Sequence, residues 1–560
     1  MTDATEVTQG VGGAAKAVLV TLAAAQFVMI LDASVMNVSI ATVAKDLGTT
    51  VTGIQTAITM YTLVMASLMI TGGRMGAIWG RKRAFTIGCV IYACGSLTTS
   101  VSPNLAVLLF GWSFLEGVGA ALVMPAIVAL VASNFAKLDR PRAYGTVAAG
   151  GAIAVGVGPL IGGLFTTYWS WRYVFVAEAL VIGVVLLLNR RTADTPSEEG
   201  ARLDLVGTAL SALGLGLIVY GVLRSGTWGF VQPKPDAPTW LGLSPVIWLI
   251  LGGGAVLLGF LAWEKHRRDT GQPALLDPAI LRVHLLRTGL IAFFFQYLLQ
   301  AGLFFAVPLF LSIALGLTAI QTGVRILPLS ITLVLAAVGI PKLFPKASPR
   351  RVSQLGFLAL FLGLVVFVAA LDAGAGPEVV TWPMLLAGLG IGALASQLGA
   401  VTVSALPDDQ SGEVGGLQNT FSNLGISIGT ALAGAVLMSA LTASFLTGIA
   451  NNPAVPKDLS SHAQVELSSG IPFVSDADLE ASLEKAGISG ETATAIVDEN
   501  AQARLNALRV SLSVLAILAL VALFFSGSIP TTPVGVETTD TPPDDPARGQ
   551  PLNRVPAASQ

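Results

Sequence analysis

The sequence has 560 residues, of which 53% are hydrophobic and only 11% are charged, and its mean hydropathy is +0.75. Because a soluble domain carries about 25% charged residues, this composition excludes an ordinary soluble globular protein and indicates a polytopic membrane protein. The formal net charge of −2 leaves no basic surface for nucleic acid, so no nucleic-acid partner is predicted.

Fourteen apolar runs follow a polar tail over 1–16, and each is close to the length of about 20 residues that a helix needs to cross a bilayer. The runs cover 17–43, 53–73, 84–101, 105–131, 143–166, 173–188, 204–223, 245–263, 288–314, 322–341, 352–371, 382–405, 414–442 and 506–526. This pattern predicts an all-α membrane protein with two six-helix bundles, 17–188 and 288–526. The linker region between them, 189–287, contributes two additional transmembrane helices. The segment 527–560 is rich in Pro, Thr and Asp and is predicted to be a disordered tail.

Lys and Arg residues are concentrated in alternate short loops. This asymmetry predicts that both termini are cytoplasmic and that the long loop 443–505 is external. Within the loop, Ser475 is predicted to cap a helix over 476–485, and Gly490 to precede an amphipathic stretch that leads into the last span. The loop is interpreted either as a solvated cap or as a docking or gating element.

Three acidic residues lie inside the first six runs, namely Asp32, Glu116 and Glu178. At about 1.5 Å per residue, Asp32 and Glu116 are predicted near the middle of the membrane and Glu178 nearer the outer side. Acids at this depth usually face the interior of a bundle or a water-filled path. Burial and like-charged neighbours both disfavour the charged form of a carboxyl group, so such groups can take up and release protons. Trp112 shares a helix face with Glu116 and is predicted to line the substrate site.

The second half of the chain has amide side chains in its spans instead of deep acids. They are Gln296, Gln300, Gln397, Gln418, Asn419 and Asn423. Amides at such positions either bind uncharged parts of a substrate or form hydrogen bonds between helices, and the sequence supports both interpretations.

Three stretches have the composition of packing or loop motifs. The fifth and thirteenth runs carry ladders of small residues, which allow close approach of helix backbones and form a faint internal repeat; the ladder positions are Gly158, Pro159, Gly162, Gly163, Gly425 and Gly429. A short basic turn joins the second and third runs and contains Gly73, Gly80, Arg81, Lys82 and Arg83.

Chemistry of other kinds has little support in the sequence. No nucleophile–base pair, phosphate-binding loop or histidine cluster is apparent, and the two cysteines, Cys89 and Cys94, lie in one apolar run. We therefore predict neither an enzyme nor a metal or other cofactor site.

Several of these stretches resemble motifs of the major facilitator superfamily, in particular of its fourteen-span drug:proton antiporters. LDASVMNVSI (31–40) resembles the first-span motif, GRMGAIWGRKR (73–83) the cytoplasmic loop motif, GPLIGG (158–163) the antiporter motif, and SWRYVF (170–175) the start of the sixth span. The sequence departs from the family pattern at Ala77, where the loop motif has an acid, and at Ser113, where the fourth span usually has an arginine. Glu116 replaces a glutamine and Glu178 stands where an asparagine is common.

This resemblance implies a secondary transporter of the cell membrane, with two bundles that move about a central cavity and act as a monomer. The predicted function is proton-driven export of amphiphilic or cationic compounds, with Asp32 and Glu116 coupling to protons and Glu178 attracting substrate. Two alternatives stay open: a flippase or exporter of lipids or envelope precursors on the same fold, and a membrane sensor or scaffold that transports nothing.

Overall fold

The computed structural model describes residues 3–49, 51–136, 139–194, 203–234, 237–372, 374–407, 410–466 and 474–532. These residues form helices joined by short connections, with one isolated β-bridge between Trp240 and Leu243. The helices are α1 (Asp3–Asp46), α2 (Val51–Trp79), α3 (Arg81–Ser100), α4 (Leu105–Leu108), α5 (Gly117–Asn134), α6 (Arg140–Tyr168), α7 (Arg172–Leu188), α8 (Leu205–Trp228), α9 (Pro245–Asp269), α10 (His284–Leu309), α11 (Ala319–Leu343), α12 (Pro349–Ala370), α13 (Thr381–Val403), α14 (Ser411–Asn451), α15 (Lys457–Glu466), α16 (Asp476–Lys485) and α17 (Glu491–Phe525). A π-helical segment, Leu109–Glu116, joins α4 to α5, and a second one, Phe310–Ala314, extends α10.

Thirteen helical segments in the described part of the chain are long and apolar enough to cross a membrane. Every one of the fourteen predicted runs falls on a helix, but α3 is not among the thirteen. It begins with three basic residues and ends in Thr and Ser, which lowers its hydropathy. The prediction of an all-α polytopic protein is thus confirmed. The predicted number of fourteen spans is not confirmed, because the hydropathy of α3 is too low for a candidate span.

The buried side chains form two main cores that correspond to the two predicted bundles. One core joins side chains of α1 to α7, and the other joins side chains of α10 to α14 with α17. Helices α8 and α9 pack on each other, and α8 also lies against α2 and α14.

The internal repeat has a structural counterpart in the packing of α6 and α14. Helix α6 lies on α1, and a Cβ atom at Gly158 would be only 2.5 Å from the Cβ of Ser34. Helix α14 lies on α10 in the same way, and a Cβ atom at Gly425 would be 2.5 Å from the carbonyl oxygen of Phe294. Both glycine ladders therefore serve close backbone approach within their own bundle.

The segments predicted as tails and as a loop contain more regular structure than expected. Helix α1 already begins at Asp3, within the predicted tail. In the predicted loop, α14 continues to Asn451, and α17 begins at Glu491 directly after Gly490, whose φ is +71°. The predicted cap is confirmed, since the hydroxyl of Ser475 accepts a hydrogen bond from the N–H of Asp478 at the start of α16.

The first residues of the predicted disordered tail are packed against the second bundle. The side chain of Ile529 is buried, and the Nε of Arg350 donates a hydrogen bond to its carbonyl oxygen over 2.7 Å. The rest of that tail, 533–560, lies outside the described residues.

Candidate transport site

Helix α1 carries Asp32 on a face that is buried along its whole length. Ala25, Met29, Asp32, Met36 and Ser39 are all at most 3% exposed, as their spacing of three and four residues predicts. This face points into the first bundle and not toward lipid.

Glu116 and Trp112 lie on the π-helical segment between α4 and α5. Such segments occur mostly as local bulges in longer helices and are frequent at functional sites. Both side chains are fully buried, and the indole Nε1 of Trp112 donates a 2.6 Å hydrogen bond to Oδ1 of Asp32. The ring of Trp112 also stacks on Tyr61 of α2, with ring centroids 5.2 Å apart.

The three membrane acids form one cluster, which we call the acid cluster and define as Asp32, Glu116 and Glu178. One carboxylate oxygen of each lies within 4.8 Å of those of the other two, so all three are close enough to contact one cation. Glu178 is only 2% exposed. The sequence did not predict that Glu178 meets the other two acids, a meeting that arises because α7 packs against α1 and α3.

Few polar groups stabilise negative charge on the acid cluster. The hydroxyl of Thr99 donates to Oε1 of Glu116 over 3.2 Å, and Trp112 donates to Asp32. The other oxygen of each of these two acids, and both oxygens of Glu178, have no hydrogen-bond partner among the described residues. No Lys or Arg in the described part of the chain forms an ion pair with the cluster.

This arrangement cannot hold three negative charges at once. Two unit charges about 4 Å apart repel by about 4 kcal/mol at an effective dielectric constant of about 20, and burial without a cation adds a desolvation cost. The indole hydrogen bond favours a charge on Asp32 over a charge on Glu116 or Glu178. Ionisation of one acid in the cluster therefore opposes ionisation of the other two.

Tyrosine and serine hydroxyls that the sequence analysis missed complete the surroundings of the cluster. Tyr61, Tyr92 and Ser96 are buried, and their side chains lie near the carboxyl groups. Each of these hydroxyls lies beside a carboxyl oxygen of the cluster to which it can donate. A usable signal exists in the sequence of α3, where Tyr92, Ser96 and Thr99 are spaced by four and three residues and so share one helix face.

The amides of the second half do not form one group. Nε2 of Gln418 donates to the Thr402 hydroxyl and to the carbonyl oxygen of Gly399, 3.3 Å away, and so links α14 to α13. Asn419 and Asn423 donate to carbonyl oxygens of their own helix. For Gln418 the structure favours the interpretation as an interhelical hydrogen bond.

The remaining amides have fewer hydrogen-bond partners. Gln296 is buried, and its Oε1 has no hydrogen-bond partner within the described ranges. Gln300 and Gln397 are partly exposed, and Nε2 of Gln397 donates only to the neighbouring Ser396.

The ladder of small residues in α6 contacts both bundles. Gly158, Pro159, Gly162 and Gly163 are buried in α6. A Cβ atom at Gly162 would lie 3.1 Å from the Cα of Val35 in α1. On another face of α6, the backbone at Pro159 lies against Gly323 of α11, which belongs to the second bundle.

The basic turn anchors one end of the first bundle. Gly80 precedes α3 with a φ of +93°, a conformation that favours glycine. Nζ of Lys82 donates to the carbonyl oxygen of Thr192 over 2.7 Å, and Nη1 of Arg81 donates to that of Ala129 over 3.2 Å. Arg83 is exposed. We call this end of the molecule, which carries Gly80 and Thr192, the basic end.

At the basic end, α2 meets α14 of the second bundle. A Cβ atom at Gly73 would lie 2.6 Å from the carbonyl oxygen of Gly412, and the side chains of Arg74 and Glu413 form an ion pair at 3.6 Å. Ala77, which replaces the usual acid of the loop motif, lines a small cavity beside this pair. The ion pair was not predicted from the sequence, because its two residues are far apart in the chain.

Two helical bundles, the first of which encloses three buried acids, form a polytopic membrane protein. The chain belongs to the Major Facilitator Superfamily, whose model matches residues 22–430. This confirms the resemblance in the sequence motifs.

Among curated proteins, the chain is 31% identical over 457 residues to a puromycin resistance protein of Streptomyces alboniger, covering 79% of this chain and 86% of that protein. It is 28% identical over 469 residues to a probable actinorhodin transporter of Streptomyces coelicolor, covering 81% and 76%. It is also 26% identical over 446 residues to the multidrug resistance protein Stp of Mycobacterium tuberculosis, covering 79% of each.

Solved structures show the same fold at low sequence identity. The human organic anion transporter MFSD10 matches with a TM-score of 0.54 and 12% identity, over 92% of this chain and 98% of that one. The proton:xylose symporter XylE matches with a TM-score of 0.52 and 11% identity, over 93% and 98%.

Proposed function

We propose that this protein is a proton-coupled exporter of amphiphilic or cationic small molecules in the cell membrane. The observation that carries the proposal is the acid cluster, in which Asp32, Glu116 and Glu178 are buried together without a basic partner among the described residues. Acids inside membrane spans commonly serve proton relays and substrate paths. The curated relatives include a puromycin resistance protein and a multidrug resistance protein, which supports export of drug-like compounds.

Asp32 is the main coupling group in this proposal and Glu116 assists it. When all three acids of the cluster are protonated, the site is neutral and releases a cation. When a cation binds, protons leave the carboxyl groups of Asp32 and Glu116 to water. Because linkage is reciprocal, protons and cation weaken each other's binding equally. Each positive charge that moves down a membrane potential of about 100 mV gains about 2.3 kcal/mol, which supplies energy for export.

The test is transport of the monocationic dye ethidium by purified protein in proteoliposomes with an imposed proton gradient. The wild-type protein should accumulate ethidium against its gradient, and Asp32→Asn should abolish this accumulation. Glu264→Gln is the matched control, because Glu264 of α9 is also buried and accepts a hydrogen bond from the N–H of Leu275 at 2.6 Å. Gradient-driven transport by Asp32→Asn at the wild-type rate would refute the role of this residue.

The same liposomes separate the alternatives. A lipid or envelope-precursor flippase would move a fluorescent lipid between leaflets and leave ethidium in place. A sensor or scaffold would show no counterflow with either probe. We retain the exporter because the acid cluster suits a cation. In the second half, the amide of Gln418 is already engaged in a hydrogen bond to Thr402 of α13.

The proposed orientation places both termini in the cytoplasm and residues 443–505 outside, in a protein that acts as a monomer. Cysteine labelling of intact cells tests it: Ser475→Cys should react with a membrane-impermeant reagent, and Ser528→Cys should react only after lysis. The opposite pattern would reverse the orientation.

A further inference from the structure

We propose that the turn between α8 and α9 is a lipid anchor, which inserts Trp240 and Leu241 into the boundary between lipid headgroups and acyl chains. We call residues 239–243 the α8–α9 turn. The leaflet concerned is the one at the end of the molecule opposite the basic end, which is the outer leaflet in the proposed orientation. The inference does not depend on the acid cluster or on the compound that is transported.

The α8–α9 turn has a backbone conformation that leucine rarely adopts. The N–H of Trp240 donates to the carbonyl oxygen of Leu243 over 2.9 Å, and the N–H of Leu243 donates back over 3.1 Å, so Leu241 and Gly242 are the two central residues of a tight hairpin turn. Their φ values are +52° and +77°. Turns with positive φ at both central residues favour Asn, Asp or Gly at the first of them. The local backbone therefore does not explain a leucine at this position.

The side chains around this turn form an exposed apolar surface. Leu241 is 87% exposed, and Trp240 is exposed as well. Phe230 and Val231, which follow α8, are also exposed, and the N–H of Ser244 donates to the carbonyl oxygen of Val231 over 2.9 Å, so the two segments lie side by side. A contiguous apolar patch of this kind marks a site of interaction with a membrane or a protein.

The α8–α9 turn lies at the depth of the aromatic residues that flank the two helices. The indole Nε1 of Trp248 donates to the carbonyl oxygen of Trp240 over 2.9 Å. Trp248 is about one turn into α9, which begins at Pro245, so the α8–α9 turn folds back beside α9. At the end of α8, the guanidinium group of Arg224 lies over the ring of Trp228, 5.4 Å from its centroid. Tryptophan is enriched at the membrane–water interface, which places the turn at this level.

The position of α9 identifies lipid as the partner. Helix α9 packs on α8, and α8 in turn lies against α2 and α14. Leu251 and Leu258 of α9 are exposed, as expected for a membrane-spanning helix with one face toward lipid. The turn is tied to α9 through Trp248 and therefore lies at the rim of the molecule, beside lipid. An apolar segment at this depth gains free energy by burying its side chains at the boundary of headgroups and acyl chains.

The test measures the membrane depth of a spin label at Thr239→Cys, an exposed position next to Trp240. Cys94→Ser removes the exposed cysteine, and Cys89 is buried. The full-length protein is reconstituted in liposomes of phosphatidylcholine and phosphatidylglycerol. Paramagnetic resonance then compares collisions of the label with oxygen, which concentrates in lipid, and with a water-soluble nickel complex on both sides of the membrane. The label should lie between two references, Leu258→Cys within the lipid and Ala481→Cys on the exposed surface of α16.

Leu241→Asn separates the apolar side chain from the shape of the turn. Asparagine is favoured in this type of turn, so the variant keeps the hairpin and removes the anchor. The ratio of inserted to water-exposed turn should fall about tenfold, as expected for loss of one leucine side chain from an apolar contact, and the label at Thr239→Cys should become accessible to nickel. Leu241→Met is the matched control and should leave the depth unchanged. Thermal unfolding of Leu241→Asn in detergent should occur at or above the wild-type temperature, because the substitution relieves backbone strain.

Two results would overturn the proposal. A label at Thr239→Cys that is as accessible to nickel as the label at Ala481→Cys would show that the turn lies in water, where a soluble partner could reach it. An unchanged depth in Leu241→Asn would show that the leucine side chain does not anchor the turn. Neither result bears on ethidium transport, so failure of the lipid anchor and failure of the proposed function are separate outcomes.

Discussion

At the scale of single residues, the hydrogen bond from Trp112 to Asp32 determines where the charge of the acid cluster resides. The indole N–H lies 2.6 Å from the carboxylate oxygen in a fully buried setting. A hydrogen bond to a charged group contributes about 1.5–3 kcal/mol. Loss of this donor therefore favours the protonated, neutral form of Asp32, which attracts a cation less strongly.

We expect Trp112→Phe to weaken ethidium binding about tenfold or more, because about 1.4 kcal/mol corresponds to a factor of ten. The Phe ring retains the contact with Tyr61. Fluorescence titration near neutral pH measures the effect. Trp263→Phe is the matched control, since the indole of Trp263 donates a 2.7 Å hydrogen bond to Asp204, a carboxylate outside the acid cluster. Equal affinities in the wild-type protein and Trp112→Phe would contradict this role.

A second carboxylate, Asp46, provides a reference group with different pH behaviour. Hydrogen bonds from the Trp171 indole, 3.0 Å away, and from Arg172 lower the pKa of Asp46 below its usual value. Its contribution to stability is therefore complete above the unfolded pKa of about 3.9 and is lost only as the pH falls through the lower folded pKa.

We expect Asp46→Asn to lower the thermal unfolding temperature by the same amount at about pH 5 and about pH 8, because Asp46 is ionised at both values. Thermal unfolding in detergent at the two pH values measures this. A destabilisation that disappears at the lower pH would show that this carboxylate titrates in the functional range, and pH effects on transport would then have a second source.

At the scale of elements, α6 is the helix that lies against both bundles. It touches α1 through Gly158 and Gly162, and it touches α11 through the backbone at Pro159. A side chain at Gly158 has no space beside Ser34. Because helix backbones are this close, a large side chain must separate α6 from α1.

Gly158→Leu should block the alternation between inward and outward states while ethidium still binds from one side. Gly183→Leu on α7 is the matched control, since no atom lies within 4 Å of a Cβ at that position. Counterflow in proteoliposomes compares the two variants. Wild-type counterflow by Gly158→Leu would refute the assigned role of the ladder.

The elements also show which features of the structure the sequence predicts and which it does not. Hydrophobic runs predicted every long helix. The cap at Ser475 and the start of a helix after Gly490 were predicted to the residue, because these features depend on local chemistry. The meeting of Glu178 with Asp32 and Glu116 was not predicted, because depth along a helix does not reveal which neighbours its face meets. The hydroxyls of Tyr61 and Tyr92 were missed for the same reason, since their role appears only when α2 and α3 pack around α1.

At the scale of the whole molecule, the basic end is closed by contact between the two bundles. Gly73 lies directly against Gly412, and Arg74 pairs with Glu413 across the boundary. Both charged side chains are less than a fifth exposed, so water screens this pair less than a surface pair. The pair lies beside Ala77, which replaces the acid of the loop motif and cannot form an ion pair itself.

We expect Glu413→Gln to shift the population toward states that are open at the basic end. Spin labels at Arg83 and Ser404, which are both exposed near this end, should show a larger fraction of long distances by double electron–electron resonance. The double substitution Arg74→Glu with Glu413→Arg is the control and should restore much of the closed population, because coupled pairs deviate from additivity by about 0.5–3 kcal/mol. An unchanged distance distribution in Glu413→Gln would show that the pair does not stabilise the closed state.

The central claim is that protons and cations compete for the acid cluster, and its most direct test is the pH dependence of ethidium affinity across about pH 5 to 9. Affinity should rise with pH in the wild-type protein, because deprotonation frees carboxylates for the cation. The rise should be reduced in Asp32→Asn and in Glu116→Gln, and nearly absent when both acids are neutralised. A flat profile in the wild-type protein, or an unchanged profile in the double variant, would contradict the account.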